Sequence, residues 1–217
     1  TYDTIDWLVK NIPNNNGRAG VYGISYPGFY ATMAAIEAHP AVKAVSPQAP
    51  VTDVFLGDDD HHYGALFLFE SFTFQTFFGL PRKQPTKNQF TDFNMGTPDG
   101  YSFFLTNRTI LNLKQKYLSP ENKYWNDIFE HGNYDEFWQA RTPLPHLKNI
   151  KPAVMTVGGW FDAEDLYGPL HTYAAIEKNN PQTNNTLVMG PWSHGGWSRG
   201  LVEGSVTERI GMVLEIF

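Results

Sequence analysis

Ser25 stands between a short apolar segment and a segment of small residues, which makes its hydroxyl the first candidate for covalent chemistry. Residues 19–24 are apolar and glycine-punctuated, as is typical of a buried parallel strand. Residues 28–36 predict a helix rich in small side chains. A strand, a serine and a helix in this order form a nucleophile elbow, whose strained backbone needs neighbours without bulk. Gly23 and Gly28 meet that need.

The elbow departs from its usual five-residue pattern, in which a glycine comes two residues after the serine. Pro27 occupies that position here, and the glycine follows one residue later. Because short glycine–serine patterns recur by chance, an ordinary strand-to-helix turn is an open alternative from these residues alone. In an elbow, the new helix would point its free N–H groups at the serine, where negative charge develops during acyl transfer.

A serine nucleophile needs a base, and the base needs a carboxylate to orient it. Functional residues of open α/β sheets lie just past the carboxyl ends of strands. Asp162 follows a predicted strand that ends at Gly159. His194 follows a predicted strand that ends at Gly190. The order Ser25, Asp162, His194 is the order found in α/β-hydrolases. The other histidines lie at positions that fit less well: His39, His61, His62, His131, His146 and His171.

Helix and strand patterns alternate at both ends of the chain, which indicates an α/β fold. The middle shows no such alternation, and residues 109–118 and 122–129 have helical patterns. We therefore expect a partial α/β-hydrolase core with a mostly parallel sheet and an inserted helical cap. Residues 1–57 would form the first part of the core with the elbow, residues 58–146 the cap, and residues 147–217 the second part of the core with the aspartate and the histidine.

Phenylalanines crowd one stretch of the predicted cap: Phe67, Phe69, Phe72, Phe74, Phe77 and Phe78. Such a density favours the apolar core of the cap, because each aromatic side chain buries a large area. A wall that faces the substrate is the alternative, and both roles could hold in part.

A run of acids and histidines at residues 58–62 opens the predicted cap. Carboxylate and imidazole groups suit several divalent metals, so a metal site is one interpretation of this run. Five adjacent residues cannot all face one ion, however. We therefore expect no metal site here.

The composition excludes several classes of function. The 217 residues carry a net charge of −6, with acids spread along the chain, which argues against a nucleic-acid partner. The absence of cysteine excludes disulfides and thiolate metal sites. No apolar run approaches the ~18 residues of a membrane span. Because the chain opens inside a helical pattern without Met, we expect a fragment of a longer protein. A signal for a periplasmic or secreted location would lie upstream.

Five motifs in the same order resemble the α-amino acid ester hydrolases, within the wider family of X-Pro dipeptidyl peptidases, cocaine esterase and glutaryl-7-aminocephalosporanic acid acylases. The motifs are GISYPG at 23–28, GDDDHHYG at 57–64, YDEFW at 134–138, GWFDAED at 159–165 and GPWSH at 190–194. The resemblance extends to about Gly196. Five ordered motifs are far more specific than the elbow alone.

The resemblance implies that Ser25 is the nucleophile, His194 the base and Asp162 its orienter, with no metal or organic cofactor. It also implies that the backbone N–H of Tyr26 is one oxyanion donor. The family's second donor is a tyrosine hydroxyl upstream of the elbow, and no residue here matches it. The early strands of the sheet and the C-terminal jelly-roll domain of the family are likewise unmatched.

The amino ester hydrolases carry a carboxylate cluster that binds the α-ammonium group of the substrate, and Asp59, Glu164 and Asp165 stand at the matching positions. Glu164 and Asp165 follow the predicted catalytic aspartate on one loop, so they would lie beside the reacting centre. Acids around a small cavity repel one another, so at least one could hold a proton until a cation arrives. Solvated loop carboxylates are the alternative.

We therefore expect a serine hydrolase that cleaves esters or amides of α-amino acids, including β-lactam antibiotics with an α-amino acyl group. A dipeptidyl peptidase or a glutaryl acylase is the alternative activity, in which the same serine chemistry acts on a different substrate. An acid-lined pocket suits a glutaryl carboxylate poorly. An inactive fragment or binding module is the alternative of another class. The expected partner is a small-molecule substrate, without nucleic acid or membrane, and the sequence is compatible with a homo-oligomer.

Overall fold

The computed structural model describes residues 1–78, 80–82, 84–85 and 93–198. The tail at 201–217, placed by the sequence analysis in the second part of the core, lies outside these residues. The strands are β1 (Ala19–Ile24), β2 (Val42–Gln48), β3 (His61–His62), β4 (Ala65–Leu66), β5 (Ala153–Gly159) and β6 (Asn185–Gly190). The α-helices are α1 (Tyr2–Asn11), α2 (Tyr26–Ala35), α3 (Leu68–Gln75), α4 (Gly100–Asn107), α5 (Ile110–Tyr117), α6 (Lys123–Glu130), α7 (Glu136–Gln139) and α8 (Tyr167–Asn179).

Four strands form a parallel sheet in the order β1-β2-β5-β6. Its strands are rich in valine, alanine and glycine, which suit a sheet covered on both faces. Because these strands run in one direction, the residues that follow β1, β5 and β6 reach the same edge of the sheet. This edge carries Ser25, Asp162 and His194. The prediction of an α/β fold with a mostly parallel sheet is confirmed.

An apolar cluster joins the sheet to the helices beside it. Ile5 of α1, Val45 of β2, Val154 of β5 and Ile176 of α8 are all nearly fully buried in it. Burial of a side chain of this size contributes about 1.5–3 kcal/mol. The cluster therefore fixes the position of β5, and with it the residues that follow this strand at the functional edge.

Among the described residues, five α-helices and the small β3–β4 hairpin lie between β2 and β5 in the chain, where the sequence predicts the cap. The predicted helices at 109–118 and 122–129 correspond to α5 and α6. Four of the helices begin at a side chain that accepts a backbone N–H from the first turn: Asp99, Thr109, Asn122 and Asp135. Such caps satisfy amide groups that lack a partner within the helix. The domain boundaries at 57/58 and 146/147 stay a prediction.

The helical segment has an apolar cluster of its own, which includes Phe55, Phe72, Phe103, Trp125 and Trp138. Of the predicted phenylalanine group, Phe72 is 0% exposed and belongs to this cluster. Phe74 and Phe78 are 40% and 38% exposed and line the large cavity described below. The group therefore contributes both to the helical core and to the wall of a cavity.

The longest described helix, α8, has 13 residues. Among the described residues, no helix combines the length and the apolar character needed to cross a bilayer.

Candidate active site

Ser25 sits on a strained turn between β1 and α2. Its φ of 66° and ψ of −126° lie in a region that residues with a side chain rarely adopt. The backbone N–H of Ser25 donates to the carbonyl of Gln48 at 2.9 Å, which ties the turn to the end of β2. This strained backbone is the geometry that a nucleophile elbow requires and that an ordinary turn does not.

Close packing explains the glycines on either side of the turn. A Cβ at position 23 would lie 2.4 Å from the carbonyl oxygen of Pro27, and one at position 28 would lie 2.5 Å from that of Gln48. Pro27 stands in the first turn of α2, where a proline is tolerated because its missing N–H would have no helical partner. A glycine is therefore required at position 28, where a side chain would clash, whereas position 27 tolerates proline.

The first turn of α2 begins directly after the serine. Intrahelical hydrogen bonding starts with the N–H of Phe29, which donates to the carbonyl of Ser25 at 3.1 Å. The amide of Tyr26 precedes that bond and so belongs to the helix N-terminus, where N–H groups lack a partner within the helix. The ring of Tyr26 packs edge-on against Tyr30 and Phe78.

Asp162 and His194 are joined by a hydrogen bond. The Nδ1 atom of His194 lies 2.9 Å from Oδ2 of Asp162, whose side chain is fully buried. The other carboxylate oxygen of Asp162 accepts the backbone N–H groups of Glu164 at 3.0 Å and Asp165 at 2.9 Å. These contacts orient the carboxylate on its loop and hold the imidazole ring in one position.

The pKa values of this pair move in opposite directions. Burial acts to raise the pKa of Asp162, but the hydrogen bond and charge of His194, together with two backbone N–H groups, leave it lowered. Burial acts to lower the pKa of His194, but Asp162, Glu164 and Asp59 leave it raised above 6.5. Asp162 is therefore the stable anionic member of the pair.

One cavity of about 1320 Å³ brings the serine and the histidine together. Ser25 and His194 both line it, and much of the remaining wall is apolar: Phe29, Met33, Ile36, Val51, Val54, Phe74 and Phe78. Largely apolar walls with a few polar groups are typical of small-molecule sites. The cavity is large enough for a substrate with a sizeable acyl group or leaving group.

Two of the three predicted ammonium-binding carboxylates line this cavity. Asp59 and Glu164 stand in its wall, and the N–H of Asp59 donates to the carbonyl of Glu164 at 3.3 Å, which links their loops. Asp165 is 0% exposed and is not among the described lining residues. Its Oδ2 lies 3.8 Å from Nδ1 of His194. Asp165 is predicted to share the ammonium site with Asp59 and Glu164, and this role stays a prediction. Its N–H donates to Asp162, and its side chain is buried behind the cavity wall.

Burial and mutual repulsion raise the pKa values of Asp59 and Asp165. The pKa of Asp59 is raised well above its usual range, first by burial and then by Asp60, Asp58 and Glu164. The pKa of Asp165 is likewise raised well above its usual range, first by burial and then by Asp59 and other nearby carboxylates. Burial and the neighbouring carboxylates thus both favour the protonated form of these two acids, whereas a cation beside them would favour the charged form.

The run at residues 58–62 does not converge on one point. Asp58 accepts bonds from Thr52, Asp53 and the N–H of Gly168. The carboxylate of Asp60 accepts bonds from two hydroxyl groups, and Nδ1 of His61 lies 3.2 Å from a backbone carbonyl. The side chains of Asp58, Asp60 and His61 thus contact separate partners. Among the described residues, Glu164, Asp165 and His194 are the three whose ligand atoms lie within 4.8 Å of one another.

Glu70 lines the same cavity, and the sequence analysis missed it. It lies on α3, outside the five motifs and six residues after the GDDDHHYG motif ends at Gly64. The available signal was its isolation, because it is the one charged residue in the apolar and aromatic run of residues 64–78.

The chain is similar to several known hydrolases. The X-Pro dipeptidyl-peptidase (S15) family matches residues 1–196. A cocaine esterase from Rhodococcus sp. (strain MB1 Bresler) is 24% identical over 204 residues, which cover 88% of this chain and 33% of that protein. An aminopeptidase from a marine sediment archaeon, Thaumarchaeota archaeon, is 34% identical with a TM-score of 0.80, over 92% of this chain and 32% of that one.

An α-amino acid ester hydrolase structure gives the same values: 34% identity and a TM-score of 0.80, over 92% of this chain and 32% of that chain. The chain thus spans about a third of the length of these relatives. The family match covers residues 1–196, and the parallel sheet and the strained serine are the features expected of α/β-hydrolases. This chain therefore belongs to the X-Pro dipeptidyl-peptidase (S15) family of α/β-hydrolases.

Proposed function

We propose that this chain carries the catalytic residues of a serine hydrolase that cleaves esters or amides of α-amino acids, including β-lactam antibiotics with an α-amino acyl group. Ser25 is the nucleophile, His194 the general base and acid, and Asp162 the group that orients His194. The observation that carries this proposal is the 2.9 Å bond between His194 and Asp162 beside a strained serine that faces the same cavity.

The reaction has two halves. Ser25 Oγ attacks the acyl carbon while His194 accepts its proton, and the N–H of Tyr26 stabilises the oxyanion. The C–O or C–N bond breaks, the leaving group takes the proton from His194, and an acyl-enzyme remains. Water then gives a proton to His194 and attacks the acyl carbon, which releases the acid and restores the Ser25 hydroxyl with that proton.

The acidic wall of the cavity supports a substrate with a free α-amine. Asp59 and Glu164 line the cavity that Ser25 faces, with Asp165 buried near His194, so an ammonium group would gain from several carboxylates in a partly dry site. The two similar structures at 34% identity are named as an aminopeptidase and an α-amino acid ester hydrolase. Both names describe substrates whose acyl group carries a free amine. A glutaryl group carries a carboxylate, which this wall would repel.

A dipeptidyl peptidase is the second candidate, and the family match favours it. It differs from the first candidate in where the free amine stands, because a dipeptidyl substrate places its amine one residue further from the scissile bond. Activity on X-Pro-p-nitroanilide but not on aminoacyl esters would favour this candidate over the first.

The test uses the full-length protein and two p-nitrophenyl esters, one of L-alanine and one of propionic acid, which differ only in the α-amine. We expect a higher kcat/KM for the alanine ester. Ser25→Ala should abolish turnover of both esters and labelling by a fluorophosphonate, with an unchanged circular dichroism spectrum. An initial burst of nitrophenol in this variant would show that another residue is the nucleophile.

A further inference from the structure

Glu70 is a carboxylate without an assigned role in the reaction, although it lines the cavity together with Ser25, Asp59, Glu164 and His194. It is half-buried and belongs to helix α3, a different segment from the loops that carry Asp59 and Glu164. An acid in a largely apolar cavity is costly unless a cation compensates its charge.

The position of Glu70 relative to Asp59 is fixed by the residues next to them. Asp60 accepts the backbone N–H of Phe67 through its carbonyl at 2.7 Å, and the hydroxyl of Ser71 through Oδ1 at 2.5 Å. The two bonds hold the first turn of α3 on the loop of Asp59. Since Glu70 precedes Ser71 and Asp59 precedes Asp60, these bonds place the two carboxylates in the wall of one cavity.

Glu70 also interacts electrostatically with two residues of the reacting centre. Its pKa is raised first by burial and then by Glu164, while His194 acts in the opposite direction. The pKa values of Asp59 and Asp165 are raised more strongly, well above the usual range, first by burial and then by nearby carboxylates. The shift of Glu70 is the smaller one, so loss of charge is favoured less strongly at Glu70 than at these two acids.

A second observation points to a cationic ligand here. Both carboxylate oxygens of Asp165 are buried and accept no hydrogen bond from the part of the chain that the structure describes. Such groups are normally satisfied. Ligand atoms of Asp165, Glu164 and His194 lie within 4.8 Å of one another, and Glu164 and His194 line the cavity, so a cation bound there would compensate the charge of Asp165 without touching it. A ligand with several N–H donors and a positive charge, such as an ammonium group, has the matching chemistry.

We propose that Glu70 is a fourth carboxylate of the ammonium site, contributed by helix α3, and that it sets the preference for acyl groups with a free α-amine. The inference rests on the proposed function. It extends the set of Asp59, Glu164 and Asp165 to a third segment of the chain, so that helix α3 as well as the two loops determines which substrates bind.

The experiment measures kcat/KM of the full-length protein for the p-nitrophenyl esters of L-alanine and propionic acid. In E70Q, we expect the ratio of the two values to fall about tenfold, through a higher KM for the alanine ester, because one ionic contact to the ammonium is lost. The matched control is E121Q, which removes an exposed carboxylate from the same cavity and should leave the ratio unchanged. E70D keeps the charge and should restore part of the preference.

The outcomes separate the two proposals. If the wild-type protein does not prefer the alanine ester, the proposed function fails. If it does, and Asp59→Asn removes the preference while E70Q retains it, only the role of Glu70 is wrong. An equal loss for both esters in E70Q also overturns this role, because it indicates a purely structural effect. If thermal melting shows that E70Q is unfolded, E70A takes its place: a folded E70A with an unchanged ratio and KM would contradict the proposal.

Discussion

The carboxylate of Asp58 accepts a hydrogen bond from the backbone N–H of Gly168 at 2.9 Å, across 110 residues of the chain. Its other oxygen accepts three further bonds, from the N–H and hydroxyl of Thr52 and the N–H of Asp53. Asp58 thus ties the loop after β2 to the start of α8. Because Asp59 follows directly, this buried carboxylate also positions one wall of the cavity.

Asp58 gives a prediction about stability and pH. Burial raises its pKa to about 6, against about 3.9 in an unfolded chain. Since the folded-state value is the higher one, folding favours the protonated form, and this stabilisation is complete below pH 4 and is lost as the pH rises through 6. Asp58→Asn stays neutral throughout. Its free energy of unfolding relative to wild type should therefore rise by about 2 kcal/mol between pH 4 and pH 7.

Urea titrations of both proteins at these two pH values measure that difference. Asp3→Asn is a suitable control, because it removes an exposed acid in α1. A difference that falls with rising pH would mean that the backbone N–H groups around Asp58 favour its anion more than burial disfavours it.

Asp162→Asn should lower kcat by about 10⁴. The N–H groups of Glu164 and Asp165 would hold the amide oxygen, so the NH2 group would donate to Nδ1 of His194 and stabilise the wrong tautomer. Asp162 also contributes to the raised pKa of His194. In the wild type, kcat/KM should therefore fall on the acid side with a midpoint above pH 6.5, since the base must be neutral. The residual activity of the variant should have a lower midpoint. A loss of less than tenfold would assign the orienting role to another carboxylate.

Asp59→Asn should raise KM for α-amino esters far more than for matched esters without the amine, because it removes a group that binds the ammonium. Steady-state kinetics on the alanine and propionic esters measure the two effects. Asn preserves the shape of the side chain, so a change of fold is not expected. Equal losses for both substrates would argue against ammonium binding at Asp59.

Gly28→Ala should destabilise the protein by about 2–4 kcal/mol and impair turnover, because the new methyl group would lie 2.5 Å from the carbonyl oxygen of Gln48. The backbone of α2 or β2 would have to move, and Ser25 with it. Gly20→Ala is the matched control in the adjacent strand, where the nearest atom would be an ordinary 3.8 Å away. Thermal melting and ester hydrolysis would show the contrast, and similar melting temperatures would contradict it.

The local pattern of the chain was enough to predict the sheet and its functional edge. Strand 19–24 has the predicted bounds, and β5 and β6 end at Gly159 and Gly190 as predicted, because short apolar runs between turn residues carry their signal within a few neighbours. Parallel strands place their carboxyl ends at one edge of the sheet. The strand positions alone therefore predicted that Ser25, Asp162 and His194 lie at the same edge. Helix α3 had no comparable signal, because its apolar side chains occupy most of its surface.

The sequence by itself determined which residues could form an elbow, a base and an orienting acid, since these depend on residue type and on distance from a strand end. Only the tertiary structure decided which of the neighbouring acids face the cavity. Asp165 is buried while Glu164 lines the wall, and Glu70 joins them from a distant helix. The physical reason is that burial and charge interactions are set by segments that meet in space, and adjacent positions on a loop carry no sign of which side will be covered.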